Sequence, residues 1–226
     1  MKAYVGTSGW AYSWNEGGTL DWYIERSGLN AIELNASFYR FPFPSQVKSW
    51  AKKGTGFAWA VKVNQLITHR FKLNERSHPT FRKFLRLFKP LDHLVRFYLF
   101  QLPPMLTPNS LERVAAFASK FDLGDRLALE ARNVKWFSDD VYDRIKRLGI
   151  TMVSVDSPQG TFFMKTSKRV YLRVHGRTGW YNYMYSDKEI AGMARRIKAL
   201  KPASSYVMFN NDHGMLANGR MMLKAL

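Results

Sequence analysis

Eight short apolar or alternating segments recur along the chain, and helical patterns separate most of them. Each has the length and the β-branched and aromatic content of a strand. The segments lie at residues 3–10, 31–38, 57–64, 95–102, 127–133, 151–157, 170–177 and 205–212. Strands that alternate with helices predict parallel β–α–β units, and eight units predict an α/β fold with a closed parallel (β/α)8 barrel of the TIM type.

Helix-capping signals fix the boundaries of several intervening helices. One helix is predicted from Ser45, after Pro44, to Gly54, and others cover 77–91 and 138–149. Ser186 followed by Glu189 forms a capping box for a helix near the C-terminal end. Only about a dozen residues separate the sixth and seventh strands, the minimum for a parallel crossover, so no full helix is expected there.

The composition is that of a soluble globular chain, with 46% hydrophobic and 23% charged residues among 226. No Pro/Gly/Ser-rich linker interrupts it, so we expect a single domain over 1–226. Cysteine is absent, which excludes disulfides, thiolate metal sites and a cysteine nucleophile. Without a signal-peptide pattern or a long apolar run, the expectation is a cytoplasmic protein that does not insert into membranes. Oligomeric state is not predicted.

The chain is strongly basic, with 35 Lys and Arg against 17 Asp and Glu and a formal net charge of +18. Such a charge attracts phosphate-bearing small molecules or nucleic acid but carries no information about the fold. The segment 69–89 is especially basic. Its simplest interpretation is a solvated helix face, and on the mouth side of a barrel it would extend a groove for phosphates.

Polar residues gather near the carboxyl end of strand after strand. In the segment 170–177, Arg173, His175 and Arg177 alternate with Leu172 and Val174. Because alternate side chains of a strand share one face, the polar set is expected to point into the barrel while the apolar set packs under helices. Active sites of TIM barrels lie at this end of the strands. The sequence therefore predicts a shared central pocket.

The candidate pocket residues fall into three chemical groups. Carboxylates and a histidine are candidates for general acid–base catalysis: Glu33, Glu130, Asp156 and His175. Cations suit a phosphate or carboxylate group: Lys62, Arg132, Arg173 and Arg177. Amides and rim aromatics would contact a hydroxyl-rich or heterocyclic ligand: Asn35, Asn64, Gln101, Asn210, Asn211, Trp10 and Tyr39.

Other interpretations of these residues remain open. The charges could form internal salt bridges without a ligand, since buried charges must be paired in any case. No cofactor is predicted. A divalent metal is a weaker alternative, because no histidine spacing supports it and neighbouring arginines repel cations. Lys62 could be a Schiff-base nucleophile, but an ion-pair partner is the favoured interpretation.

Several motifs resemble those of the DUF72 (YecE-like) family of uncharacterised TIM-barrel proteins. They are GTSGWAYSW at 6–14, ELNASFYRFP at 33–42, FQLPP at 100–104, LALEAR at 127–132, YLRVHGR at 171–177 and FNNDHG at 209–214. The resemblance runs in order along nearly the whole chain and implies a TIM-barrel fold, but names no reaction. Ala131 and Asn133 depart from the aromatic residue and the histidine that usually flank the family's arginine, matched here by Arg132.

Two functional hypotheses follow. The first is an enzyme of the hydrolase or lyase type that uses carboxylate and histidine acid–base chemistry on a phosphate-bearing substrate. The second is a non-catalytic nucleic-acid-binding protein that uses the basic surface and the rim aromatics, with salt-sensitive affinity. A third and weaker hypothesis is a sugar-active barrel enzyme with two catalytic carboxylates.

Overall fold

Parallel strands form a curled sheet that closes on itself in the computed structural model, which describes residues 1–226. The strands are β1 (Lys2–Thr7), β2 (Ala31–Leu34), β3 (Ala58–Lys62), β4 (Val95–Gln101), β5 (Leu127–Glu130), β6 (Thr151–Met152), β7 (Ser154–Ser157), β8 (Gly160–Phe162), β9 (Arg169–Val174) and β10 (Ser204–Phe209). Their order in the sheet is β6-β5-β4-β3-β2-β1-β10-β9-β7-β8.

The barrel closes through the sixth predicted strand, which is interrupted at Val153. Its first half, β6, pairs in parallel with β5, and its second half, β7, pairs in parallel with β9. The Val153 amide donates to the Leu129 carbonyl at 2.9 Å, so contact with β5 continues through the interruption. With β6 and β7 sharing one position, eight parallel strand positions complete the circle. The predicted TIM-type barrel is confirmed.

Helices follow seven of the eight strand positions. They are α1 (Leu20–Arg26), α2 (Ala36–Tyr39), α3 (Pro44–Lys53), α4 (His78–Phe88), α5 (Leu111–Phe121), α6 (Asp139–Arg147), α7 (Asp187–Ala199) and α8 (Met215–Ala225). Between β7 and β9 the chain forms β8, which pairs antiparallel with β7, in place of a helix. The expected lack of a full helix at this crossover is confirmed. None of the helices is long and apolar enough to cross a lipid bilayer.

Local sequence signals account for the helix boundaries. The Ser186 hydroxyl accepts from the Glu189 amide, and the Glu189 carboxylate accepts from the Ser186 amide, as the capping box predicts. In α4, Phe81, Phe84 and Phe88 are buried, while the basic side chains on the opposite face are exposed. The amphipathic pattern therefore positions this helix against the barrel wall.

Two apolar layers surround the strands. The larger lies between sheet and helices and contains Val170, Leu172 and Val174 of β9. The smaller fills the barrel interior with rings and small residues, including Phe97, Tyr171 and Ala60. Toward the carboxyl ends of the strands the interior residues become polar, at Glu33, Lys62, Gln101, Glu130 and Arg173. This change places the charged cluster beneath the mouth of the barrel.

The second strand is shorter than the sequence pattern predicts. It ends at Leu34, and the backbone of Asn35 is already helical at φ −88° and ψ −26°. The Ser37 hydroxyl donates to the carbonyls of Leu34 and Lys62, which holds the turn into α2 against β3. The predicted strand at 31–38 is therefore wrong after Leu34, and Asn35 reaches the mouth from a helical turn and not from a strand.

Candidate functional site

Arg173 occupies the centre of the barrel and pairs with two carboxylates. Its Nε and Nη2 donate to the two oxygens of Glu33 at 2.8 and 2.6 Å. Its Nη1 donates to Glu130 Oε2 at 2.5 Å. All three side chains have no exposed surface. Because planar guanidinium and carboxylate groups match in a bidentate pair, this geometry compensates much of the cost of burying the charges.

Both carboxylates have further hydrogen-bond donors. Glu33 also accepts from Ser8 Oγ at 2.7 Å and from the hydroxyl of Tyr171. Glu130 also accepts from Gln101 Nε2 at 3.1 Å and from His175 Nε2 at 2.9 Å, and it forms an ion pair with Arg132 Nη2 at 3.0 Å. Neither carboxylate has an exposed oxygen left for a ligand.

The cluster keeps these carboxylates ionised. Burial alone would raise the pKa of Glu33, but the charge of Arg173 and its hydrogen bonds hold that pKa below the usual value. Burial alone would also raise the pKa of Glu130, but the charges of Arg132 and Arg173 hold it well below its usual range. Neither group carries a proton to donate at neutral pH. This geometry favours a role in holding Arg173 over the predicted role in acid–base catalysis.

His175 is fully buried and neutral in this environment. Burial, followed by the charge of Arg173, lowers the pKa of His175 to about 4. Glu130 can only accept, so His175 Nε2 carries the proton. The Nδ1 atom then accepts from Asn210 Nδ2 at 3.3 Å. His175 thus links the charged cluster to Asn210 at the mouth.

Lys62 is the one cation of the central cluster without an ion-pair or hydrogen-bond partner for its ammonium. It ends β3, only 7% of its surface is exposed, and its Nζ lies 4.2 Å from the centroid of the Phe38 ring. Burial, followed by the charge of Arg173, lowers the pKa of Lys62 to about 8. The predicted ion-pair role of Lys62 is wrong, because Glu33 and Glu130 are occupied by other donors.

A cavity of about 300 Å³ opens above this amine. Tyr12, Asn35, Tyr39, Lys62, Tyr181 and Asn210 line it, together with Asp212. Asn35 Oδ1 is buried without a hydrogen-bond partner. Tyr181 and Asp212 have left-handed backbones, with φ of 64° and 53°, which are costly for residues other than glycine. Unpaired polar groups and backbone strain on one cavity are typical of a binding site.

Aromatic rings of the rim anchor the loops above the strands. The Arg132 guanidinium lies 4.6 Å from the Trp180 ring centroid, and Trp180 packs against His175. Beneath them a space of about 10 Å³ has room for roughly one water molecule. Trp10 packs edge-on against Trp50 and Trp59 and so anchors the loop after β1, although it also lines a neighbouring open cavity with Tyr12.

Asp156 and Arg177 lie outside the central pocket, and the prediction that they point into it is wrong. Val155 faces the barrel interior, so Asp156 faces the helices, where it accepts from Tyr185 at 2.6 Å and from Arg177 at 3.0 Å. Arg177 leaves the alternation because the chain turns at Gly176, whose φ is 99°. A Cβ there would approach the Gly179 carbonyl to 2.4 Å, so only glycine fits.

Asn64 and Asn211 were predicted to contact a ligand, but both hold the backbone instead. Asn64 donates to the Ser37 carbonyl at 2.9 Å and accepts from the Leu66 amide at 3.1 Å. Asn211 donates to the Tyr183 carbonyl at 2.6 Å and to Asn218 at 2.9 Å. Both side chains are buried, away from the cavity. Their predicted placement in the pocket is wrong, because each follows the end of a strand, where alternation no longer sets direction.

Comparison with known proteins gives a family for the chain. The sequence profile described as "Protein of unknown function DUF72" matches residues 4–224. The chain belongs to the DUF72 family. The resemblance inferred from the motifs is confirmed. A search of curated proteins found no match.

Solved structures of the DUF72 family resemble the chain over nearly its whole length. A DUF72 protein of Thermotoga maritima MSB8 is 26% identical, covers 99% of this chain and 98% of its own, and has a TM-score of 0.83. A DUF72 protein of Enterococcus faecalis V583 is 23% identical, with 99% and 96% covered and a TM-score of 0.82. The D-psicose 3-epimerase of Clostridium cellulolyticum H10 shares the fold at 13% identity, with 100% and 96% covered and a TM-score of 0.59.

Several residues of this DUF72 site were missed from the sequence. Tyr171 shares the alternation of Arg173, so its inward direction could be read, but its bond to Glu33 could not. Ser8 lies in the loop after β1 and was not singled out. Tyr12, Tyr181 and Asp212 were expected near the mouth because they follow strands, but no local pattern signals the left-handed backbones of Tyr181 and Asp212 or their place in one cavity. No three His, Asp or Glu side chains are grouped so that they could hold a metal ion.

Proposed function

We propose that the chain is an enzyme that acts on a small phosphate-bearing substrate in the mouth cavity, with Lys62 as the cation that attracts it. The observation that carries this proposal is the unpartnered amine of Lys62 at the base of a cavity of about 300 Å³. Because Glu33 and Glu130 are saturated by other donors, an anion entering the cavity does not compete with them for Lys62.

The charges beneath the cavity favour an anion. Arg173, Arg132 and Lys62 are cations, while the nearby carboxylates of the cluster are only Glu33 and Glu130. Within this buried cluster the imbalance leaves one net positive charge when Lys62 is protonated, in surroundings that water screens poorly. Asp212 adds one negative charge to the cavity wall, but its side chain is 43% exposed and therefore more strongly screened by water. A phosphate group near Lys62 would neutralise it.

Other cavity groups suit the remainder of a small polar substrate. The side-chain oxygen of Asn210 can accept from a substrate hydroxyl, because only its Nδ2 is engaged, by His175. The phenol of Tyr39 can donate or accept, while the Tyr12 hydroxyl, which donates to the Ser8 carbonyl, can only accept, and both rings can stack on an apolar face of the ligand. The cavity volume lies at the small end of the range for ligand pockets, which favours a compact metabolite over a large one.

Among the two reaction types expected from the sequence, a lyase fits this geometry better than a hydrolase. Hydrolysis needs a base with access to water, and both cluster carboxylates are buried and occupied. His175 is buried as well, and its Nε2 proton is committed to Glu130. Lys62, in contrast, combines access to the cavity with a pKa of about 8, which suits chemistry near neutral pH.

Calorimetric titration with glycerol 3-phosphate and with glycerol tests the proposal. We expect binding of the phosphate ester and none of glycerol, and Lys62→Met should weaken that binding at least tenfold. Lys224→Met is the matched control, because Lys224 is exposed in the last turn of α8, at the opposite end of the barrel. Equal affinity of the two variants, or no binding by the wild type, would contradict the proposal.

A second candidate function, nucleic-acid binding, is favoured by one surface feature. A groove of about 570 Å³ lies between α4 and α5 and is lined by Arg82, Arg113 and Lys120. Cations along a groove would follow a phosphate backbone, and affinity would fall steeply with salt. A single-stranded oligonucleotide titrated at two salt concentrations tests this function, and Arg82→Glu with Arg113→Glu should abolish binding. Salt-independent or unchanged binding would exclude it.

A further inference from the structure

We propose that Lys62 is a nucleophile that forms a Schiff base with an aldehyde or ketone group of the substrate. This inference rests on the proposed function, because it assigns the chemistry of the same cavity. It names the substrate class as a phosphate-bearing carbonyl compound.

The first support is the isolation of the amine. Lys62 is the one buried lysine of the chain. Lysine amines elsewhere in the chain bind oxygen partners, as Lys53 does with Asp21 and Lys198 does with the Ala225 carbonyl, or lie over rings at the exposed surface, as Lys83 does over Phe41. The Lys62 amine lies over the ring of Phe38 and forms no hydrogen bond or ion pair within the protein. In the neutral amine the nitrogen lone pair is therefore free of competing hydrogen bonds, and Lys62 is one of the residues that line the cavity.

The second support is the surrounding charge. Burial is the main cause of the lowered pKa of Lys62, and the charge of Arg173 lowers it further. Glu130 and Glu33 act in the opposite direction, and Arg132 again disfavours the ammonium form, so the pKa stays below its usual value. A buried amine beside fixed cations is the arrangement that activates lysine for covalent catalysis. With a pKa of about 8, about a tenth of Lys62 is the free amine at pH 7, roughly a few hundredfold more than for a lysine of ordinary pKa.

The step balances without a redox partner. The neutral Nζ attacks the carbonyl carbon, and a proton moves from nitrogen to oxygen to give a carbinolamine. A second proton reaches that oxygen, which leaves as water while the nitrogen lone pair forms the C=N⁺ bond. Water entering the open cavity can supply this proton, because the Tyr12 hydroxyl already donates to the Ser8 carbonyl at 3.0 Å and its pKa is raised by burial. The iminium then withdraws electrons from the adjacent carbon, as a lyase requires.

Reductive trapping with dihydroxyacetone phosphate and sodium cyanoborohydride tests the proposal. Peptide mass mapping after a short exposure at pH 7 should show the reduced adduct on Lys62 at least tenfold faster than on any exposed lysine. The trapping rate should rise with pH with a midpoint near 8. Glycerol 3-phosphate, which has no carbonyl group, should slow the modification of Lys62 and leave exposed lysines unaffected.

The Lys62→Arg variant distinguishes Schiff-base formation by Lys62 from the binding of a phosphate-bearing substrate. Arginine keeps the positive charge, so this variant should bind glycerol 3-phosphate within a few-fold of the wild type but form no adduct at position 62. Adducts confined to exposed lysines of the wild type, in protein that binds glycerol 3-phosphate, would overturn the Schiff base and leave the binding site standing. Failure of wild-type binding would overturn both. The competition experiment uses wild-type protein, so the test does not depend on folding of the variant.

Discussion

Arg173 and Glu33 form a fully buried bidentate ion pair across the barrel, with distances of 2.8 and 2.6 Å. Their strands, β9 and β2, are separated in the sheet by β10 and β1, so the pair ties together walls that share no backbone hydrogen bonds. Glu130 joins the same guanidinium from β5. The cluster forms a rigid base for the cavity, above which Lys62 is left without a partner.

Removal of Arg173 should destabilise the barrel strongly. Arg173→Met leaves two buried carboxylates without their main cation, which typically costs about 3–5 kcal/mol. Urea unfolding at pH 7 measures the loss, and Arg147→Met on the exposed face of α6 should change stability by less than about 0.5 kcal/mol. The loss of stability in Arg173→Met should become smaller toward pH 5, because carboxylates that are buried without a cation take up protons more readily. Equal stability of the two variants would mean that the cluster does not hold the walls together.

Acid should destabilise the fold through His175. In the unfolded chain this histidine takes up a proton below about pH 6.5, but in the folded protein it does so only near pH 4. Its contribution to the free energy of unfolding is therefore lost as pH falls through this window, by at most about 3 kcal/mol. Glu33 and Glu130 add a further loss at lower pH, because their pKa values are lowered in the folded state.

His175→Gln should remove the histidine part of this dependence. Glutamine stays neutral throughout, so unfolding free energies measured in urea between pH 7 and 4.5 should fall less steeply for the variant than for the wild type. Parallel curves would show that His175 titrates with its ordinary pKa in the fold.

The barrel was predictable because its signals are local and repeated. Period-two alternation in β9 placed Arg173 inward, and capping residues such as Ser186 marked helix starts. The errors lie where strands end: Asn64 and Asn211 follow their strands, and Gly176 turns Arg177 outward. At these positions loop conformation and not alternation sets the direction of a side chain.

Loss of the Lys62 charge should stabilise the protein while abolishing function. The lowered pKa means that the folded state disfavours the ammonium, so Lys62→Met should increase the free energy of unfolding at pH 7 by about 1–3 kcal/mol. The difference in free energy of unfolding between Lys62→Met and the wild type should decrease from about pH 8 and be lost by about pH 10.5, because the wild type gains stability as the amine loses its proton in the folded state. Thermal unfolding at several pH values measures this, with Lys224→Met as the control. A destabilised Lys62→Met at all pH values would indicate that the amine has a partner.

Asp156 should act on the loop after β9 and not on the central cluster. Asp156→Asn weakens its bonds to Arg177 and Tyr185, which hold this loop against α7. We expect amide hydrogen exchange to increase at least tenfold within residues 175–186, while the amides of β2 and β5 stay protected. Increased exchange at β2 and β5 would place Asp156 in the central network after all.

The composition of the site was easier to predict than its pairing. Charge and alternation singled out Glu33, Glu130 and Arg173, and the structure brings them together. Whether Lys62 or Arg173 forms the ion pairs with Glu33 and Glu130 depends on distances between strands that are far apart in the sequence. Residues 33 and 173 are joined only by the curvature of the closed sheet, which no single segment encodes.

The titration of Lys62 in the folded protein tests the central claim most directly. Nitrogen-15 NMR of the lysine amines, with the Lys62 signal assigned by its loss in Lys62→Arg, gives the pKa with and without glycerol 3-phosphate. We predict a pKa of about 8 in the free protein and a higher value in the complex, because a bound phosphate favours the ammonium. A value near 10.5 that does not respond to glycerol 3-phosphate would contradict the account.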